Sequence, residues 1–156
     1  MIVRPQLTGW LSLIPTASGG RRSAIATGYR PQARIPGSVV IAGGDALEDV
    51  VTDCAIELEG LAELQPGETA HVRVTPVSPE YWRRLGPRDT VTLVEGRRAV
   101  GSVIVEIGLD PETLTEWFRE REEQAHPADL EERVERIRRA TDDFVRRQAS
   151  RDIQRR

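Results

Sequence analysis

Few side chains in this 156-residue chain are of types that could carry out catalysis or bind a metal. Cys54 is the only cysteine, and His71 and His126 are the only histidines. All 22 basic residues are arginines, which excludes Schiff-base chemistry and the lysine of phosphate-binding loops. The sequence contains no Ser/His/Asp set, no phosphate loop and no cluster with metal-ligand spacing. We therefore expect a protein that is not an enzyme and has neither a metal nor another cofactor.

The contexts of these three residues favour structural roles. Cys54 is predicted to lie in a loop before a strand, and the carboxylate of Asp53 beside it would raise the pKa of the thiol. An activated nucleophile is therefore not expected there. His71 falls on a predicted strand and His126 at a predicted helix break, with no carboxylate or cysteine expected to pair with either.

The charge balance limits the classes of partner. The net charge is −3, whereas a general binder of phosphate backbones should be basic, so non-specific nucleic-acid binding is not expected. The single cysteine excludes an intramolecular disulfide. No apolar run approaches the length of a membrane span and no signal core begins the sequence, so we expect a soluble, cytoplasmic protein with no membrane partner.

Two regions of the chain differ in composition and in predicted secondary structure. Residues 1–108 contain all 13 glycines and all but two of the prolines, and extended segments recur there between turns. Short strands joined by Gly/Pro turns are typical of a sandwich or a small barrel. The region 37–49 fits this pattern least and is interpreted as a loop with one strand. The predicted extended segments are Leu7–Ile14, Ala24–Ile35, Val39–Ala42, Ala55–Leu58, Thr69–Val77, Asp89–Val94 and Ala99–Ile107.

Residues 109–156 form a helical appendage, with helices predicted at about 111–125 and 127–152. Asp110 is suited to be the N-cap of the first helix, with proline at its first position. That helix should end near residue 125, because a residue before proline disfavours the helical conformation.

The second helix carries a narrow apolar seam. Its apolar members, spaced as in a coiled coil, are Leu130, Val134, Ile137 and Phe144. Residues 110–132 contain nine acids and two arginines, whereas residues 133–156 contain nine arginines and four acids. This asymmetry favours antiparallel pairing, within one chain or between two. The seam predicts either a strap across the first domain or a homodimer helix, and the spacing serves both.

Two blocks of short motifs carry a resemblance to a known family. Residues 19–23 read Gly-Gly-Arg-Arg-Ser, residues 28–32 read Gly-Tyr-Arg-Pro-Gln, and residues 85–101 form a hairpin pattern containing Glu-Gly-Arg-Arg-Ala-Val-Gly. Over roughly residues 6–108, the chain resembles the third domain of bacterial elongation factor Tu. The resemblance implies a mainly β fold, a six-stranded antiparallel β-barrel, here followed by the two C-terminal α-helices. No nucleotide-binding domain is present, so we do not expect a GTPase or a nucleotide ligand.

The resemblance also implies binding residues. In the family this barrel contacts the T-stem of tRNA through three polar positions. The motifs place two of them on Gln32 and Glu95, and the third on Asp53, or on Thr52 if the alignment shifts by one. Amide and carboxylate groups can bind base edges and 2′-hydroxyls in the RNA minor groove, but Asp53 would repel a phosphate. Arg22 stands where the family has histidine and would strengthen a phosphate contact.

These features predict a non-enzymatic, translation-factor-like binding module that recognises a protein partner or a structured RNA such as a tRNA arm. In the protein form, the barrel could act as a decoy, an adaptor or an immunity-type mimic of elongation factor Tu. The alternative is a structural protein with an inert barrel and a dimerising tail. For Arg30 and Arg98, salt bridges inside the barrel or at its rim are favoured over contact with a ligand. The candidate surface comprises Arg21, Arg22, Arg30, Gln32, Asp53, Glu95 and Arg98.

Overall fold

The computed structural model describes residues 3–40, 47–125 and 127–154. By their contacts the residues form two compact units, Met1–Trp117 and Phe118–Arg156. The boundary falls inside the first C-terminal helix rather than at residue 108, because Leu109 and Leu114 contribute to the core of the first unit.

The first unit is built around a closed antiparallel barrel, as the sequence predicts. Going round the barrel, the strand order is β1-β6-β4-β3-β7-β8, and β2 and β5 form a separate two-stranded ribbon. Short 3-10 turns lie at Thr16–Ser18 and Pro79–Tyr81. The strands are β1 Leu7–Leu13, β2 Ile25–Ala26, β3 Gln32–Val40, β4 Leu47–Leu58, β5 Glu63–Leu64, β6 Thr69–Pro76, β7 Thr90–Glu95 and β8 Arg98–Ile107.

The alternation of side chains on each strand fills the barrel. On β6, Ala70, Val72 and Val74 are buried, whereas His71 and Arg73 between them are partly exposed. This confirms the period of two predicted for the segment 69–77. Apolar side chains from all six barrel strands meet in one core, so the interior is packed and most polar side chains lie on the outer surface.

Two predicted segments differ from the observed strands. The segment predicted as extended over 24–35 is broken between β2 and β3, where Gly28 adopts a φ of 93° that favours glycine. The strand predicted over 55–58 is the end of the longer β4, whose first half pairs with β3. Within the region 37–49, residues 37–40 belong to β3 and residues 47–49 to β4, whereas 41–46 lie outside the described residues.

Both predicted helices are present, as α1 Pro111–Gln124 and α2 Pro127–Gln154. Asp110 caps α1 as predicted, since its Oδ2 accepts bonds from the Thr113 amide at 2.8 Å and the Thr113 hydroxyl at 2.6 Å. These bonds hold the pKa of Asp110 below its usual value. His126, at the predicted break, lies outside the described residues. No helix in the described ranges is long and apolar enough to cross a membrane.

The second unit exposes part of the predicted seam. Val134 and Ile137 on α2 are 64% and 66% exposed. The side chains of Leu130 and Phe144 lie outside the described part of the structure. Ion pairs one turn apart line the same helix, Arg136 to Glu132 at 2.9 Å and Arg139 to Glu135 at 3.1 Å.

Candidate binding face of the barrel

Three neighbouring strands bring the predicted binding positions together. Gln32 begins β3, where it lies opposite Asp53 on β4 and opposite Val94 on β7. Glu95 follows Val94 at the end of β7. Positions far apart in the sequence therefore lie side by side around the start of β3.

The two alternatives for the third position differ in the direction of their side chains. Thr52 is only 9% exposed, since its side chain turns towards the inside of the barrel, whereas Asp53 is exposed. Because successive side chains of a strand point to opposite faces, only Asp53 shares the outer surface with Gln32. The outward-facing position is therefore an acid.

Glu95 is held by three surrounding side chains. Its Oε1 accepts a bond from the Arg21 guanidinium and another, at 2.6 Å, from the Tyr29 hydroxyl. Its Oε2 lies 3.7 Å from Nη2 of Arg98, so Arg98 takes the rim ion pair that the sequence favoured. These contacts tie the segment before β3 to the β7–β8 hairpin.

Arg21 is oriented by more than this carboxylate. Its guanidinium lies 5.0 Å from the centre of the Tyr29 ring, a cation–π arrangement, and donates to the carbonyl and hydroxyl oxygens of Ser23 at 3.3 and 3.2 Å. Burial raises the pKa of Tyr29, so its hydroxyl remains protonated as a donor. Tyr29 and Ser23 belong to the same motifs as the predicted residues, but their side-chain roles were not predicted.

Arg22 and Arg30 differ from Arg21 and Arg98. Both are exposed, and among the described residues neither has a carboxylate within ion-pair distance. Arg30 and Asp53 instead line a common cavity with Arg4. The candidate surface thus combines two arginines held by Glu95 with two whose charge is available to a ligand.

His71 corrects an expectation drawn from the sequence. Its Nδ1 bonds to Glu59 and its Nε2 to Glu106, so the expectation that no carboxylate pairs with it is wrong. The partners were missed because they lie 12 and 35 residues away in the sequence. They meet His71 through the pairing of β4 with β6 and of β1 with both β6 and β8. The hydrogen bonds to Glu106 and then to Glu59 raise the pKa of His71.

This cluster lies on the outer surface of the barrel. Arg73 contacts Glu57 at 3.5 Å and Glu59 at 3.3 Å, and the rings of Trp10 and His71 form a T-shaped pair with centroids 5.0 Å apart. Such alternating charges bridge neighbouring strands and stabilise their pairing. Within the described ranges, no group of three or more His, Cys, Asp or Glu residues is arranged to hold a metal ion.

Cys54 lies inside β4, not in a loop before a strand as predicted. The strand begins at Leu47, well before the apolar segment Ala55–Leu58 that predicted it. The side chain is 1% exposed, and its Sγ lies 3.7 Å from the carbonyl oxygen of Pro31. Burial, with a smaller contribution from the Asp53 carboxylate, raises the pKa of the thiol to about 12. The thiol is therefore protonated and unreactive at neutral pH, as expected from the sequence.

A scan against protein-family models finds no match. A search of the curated proteins finds no match either. The case for a function therefore rests on the side chains around Gln32 and on the short motifs that contain them.

Proposed function

We propose that this chain is a non-enzymatic, translation-factor-like binding module whose barrel binds a structured RNA such as a tRNA arm. The observation that carries the proposal is the register that sets Gln32 against Asp53 and Val94, beside the exposed and uncommitted Arg30. The Gln32 amide, which can both donate and accept hydrogen bonds, lies near the Arg30 guanidinium, whose charge is unpaired among the described residues. This combination suits an RNA stem, in which hydroxyls and base edges alternate with phosphates.

The residues divide the recognition between them. Gln32 binds a 2′-hydroxyl or a base edge across the shallow minor groove, because its amide offers both donors and an acceptor. Arg22 and Arg30 bind phosphates and set the orientation of the stem. Asp53 repels phosphates, so it reduces the attraction that the arginines exert on the backbone of the stem without cancelling it.

Glu95 has a different role from the one implied by the family motif. Its carboxylate already accepts from Arg21 and Tyr29, so it positions the segment that carries Arg22 and Arg30. Removing Glu95 would release that segment rather than remove a direct RNA contact. The effect on binding would then be accompanied by a loss of stability.

A filter-binding titration with bulk tRNA at two salt concentrations tests the proposal. Binding should weaken as salt rises, because each neutralised phosphate releases counterions. Gln32→Ala and Arg30→Ala should each weaken binding. Their matched controls, Gln65→Ala and Arg83→Ala, change exposed residues outside the candidate surface and should leave binding unchanged. Absence of binding at low salt would contradict the proposal and direct the search to a protein that recognises the barrel, including the decoy or immunity-type role.

The exposure of Val134 and Ile137 favours a second candidate, a structural role in which α2 forms a homodimer. Two apolar side chains three residues apart on an exposed helix face are typical of a coiled-coil seam. Sedimentation equilibrium of the full chain should show a concentration-dependent dimer that the double variant Val134→Ser, Ile137→Ser abolishes. Glu131→Ser, off the seam, is the control. A monomer at every concentration would exclude this candidate.

A further inference from the structure

One cavity in the barrel wall is lined by charges from separate parts of the chain. It has a volume of about 250 Å³. Its lining includes Arg4, from the segment before β1, and Arg30, from the segment before β3. Within the described part of the chain, neither guanidinium has an ion-pair partner. Two arginines at one concavity create a positive potential that a bound anion can neutralise.

The remaining lining adds a hydrogen-bond donor. Thr75 borders the cavity, and its Oγ1 accepts a bond from Nε2 of Gln6 at 2.9 Å. Since the oxygen is occupied as an acceptor, the Thr75 hydroxyl proton can be donated into the cavity. Gln6 thereby orients the hydroxyl in the sense that an anion requires.

The net charge of the lining selects the kind of anion. Arg4 and Arg30 contribute two positive charges and Asp53 one negative charge, while the Cys54 thiol is neutral because burial raises its pKa to about 12. The lining therefore carries one net positive charge. A singly charged group neutralises this charge, whereas a phosphate dianion would leave the site with a net negative charge and would be repelled more strongly by Asp53.

We propose that this cavity binds a singly charged oxyanion, a carboxylate or a phosphodiester, between the guanidiniums of Arg4 and Arg30. Arginine presents its N–H groups in a planar fork that fits two oxygens of such a group. The volume accommodates one such group with its substituent. The anion comes either from a free small acid or from the backbone of a bound RNA, and the site does not depend on RNA binding.

Acetate and dimethyl phosphate are suitable probes, since each carries a single negative charge and neither is a macromolecule. They would be titrated into the ¹⁵N-labelled full chain at constant ionic strength, with chloride as the reference anion. We expect saturable shifts of the backbone amides of residues 53–55 and of Thr75 and Val77, since Pro76 between them has no amide proton. Shifts that stay linear, or that chloride reproduces, would overturn the proposal.

Variants that are expected to change the affinity for the probes in opposite directions distinguish a loss of binding from damage to the fold. The double variant Arg4→Gln, Arg30→Gln should weaken the affinity about tenfold or more, because charge-assisted hydrogen bonds are lost. Asp53→Asn should bind the same probes more tightly, which a merely disturbed barrel would not do. Arg83→Gln, an exposed arginine outside the cavity, should bind as the wild type does. Unchanged affinity in the double variant, or weaker binding by Asp53→Asn, would refute the site.

A competition experiment identifies the source of the anion. If a saturating concentration of dimethyl phosphate weakens tRNA binding more than the same concentration of chloride, the cavity holds a backbone phosphodiester. If tRNA binding is unaffected while the probe still saturates its site, the ligand is a free small acid. The site itself stands or falls with the probe titration, so its failure is distinguishable from a failure to bind RNA.

Discussion

Gln32 on β3 lies directly opposite Asp53 on β4, so an amide and a carboxylate occupy adjacent positions on the outer surface of the barrel. Cross-strand neighbours of this kind lie within about 5.5 Å at their Cβ atoms and share the same surroundings. The charge of Asp53 therefore acts on any group that Gln32 binds. This acid gives the proposed RNA face a repulsive element beside its attractive ones.

Removing that charge should strengthen RNA binding. Asp53→Asn keeps the shape of the side chain but eliminates the repulsion of nearby phosphates, and we expect about a two- to fivefold lower Kd for tRNA at low salt. The difference should shrink at high salt because exposed charges are screened. Filter binding measures both effects. Glu63→Gln, an exposed acid on β5, serves as the control, and weaker binding by Asp53→Asn would show that the carboxylate contacts the RNA favourably.

The Tyr29–Glu95 hydrogen bond should contribute to the stability of the first unit. Tyr29→Phe removes the hydroxyl that donates to Glu95 at 2.6 Å and should lower the free energy of unfolding by about 1 kcal/mol. Urea denaturation followed by fluorescence measures this change. Tyr81→Phe removes a hydroxyl from an exposed ring and should change stability by less than about 0.5 kcal/mol. Equal effects of the two variants would contradict a specific role for the Tyr29 bond.

His71 should make stability depend on pH. Its pKa is raised in the folded protein above the ordinary 6.5 by the bonds to Glu106 and Glu59. The folded state therefore binds the proton more tightly than the unfolded state. The resulting stabilisation is fully present below pH 6.5 and is lost as the pH rises through the raised value.

The measurement is urea unfolding at a series of pH values across this window, with His71→Asn beside the wild type. The stability advantage of the wild type should decline with rising pH. An advantage that stays constant or grows would show that His71 is not held as an imidazolium between its two carboxylates.

Gly20 should tolerate no side chain. A Cβ at this position would overlap the carbonyl oxygen of Ile14, which is backbone and cannot move aside cheaply. We expect Gly20→Ala to cost about 2 kcal/mol or more in thermal or urea unfolding. Gly86→Ala is the control, because no atom lies within 4 Å of a Cβ built there. A Gly20→Ala protein as stable as the wild type would show that the turn relaxes freely.

The sequence predicted the elements whose signals are local. Alternation on β6 and the Asp110-Pro111 start of α1 depend on neighbouring residues, and both are confirmed. The six-stranded barrel was implied by the motif resemblance and is also confirmed. The first half of β4 was missed because its apolar pattern is weak. This segment is extended because it pairs with β3, and a local pattern does not report that pairing.

Side-chain networks were predicted less completely for a physical reason. The Arg21–Glu95 pair joins residues 74 apart, and the His71–Glu106 pair joins residues 35 apart. No local periodicity reports such a contact, since it forms only when segments far apart in the sequence come together in the fold. The motifs identified Arg21, Gln32 and Glu95 as candidates. Only the folded structure shows that the Glu95 carboxylate is already paired with Arg21, whereas the Gln32 side chain is exposed.

Recognition of RNA through Gln32 is tested by the tRNA titration of Gln32→Ala beside Gln65→Ala at low and high salt. We expect salt-sensitive binding by both proteins, with Gln32→Ala about fivefold or more weaker than Gln65→Ala, because an amide bonding to the minor groove is lost. Both should have the same dependence on salt, since neither substitution removes a phosphate contact. Equal affinities of the two variants, or binding that does not respond to salt, would contradict recognition of RNA through this face.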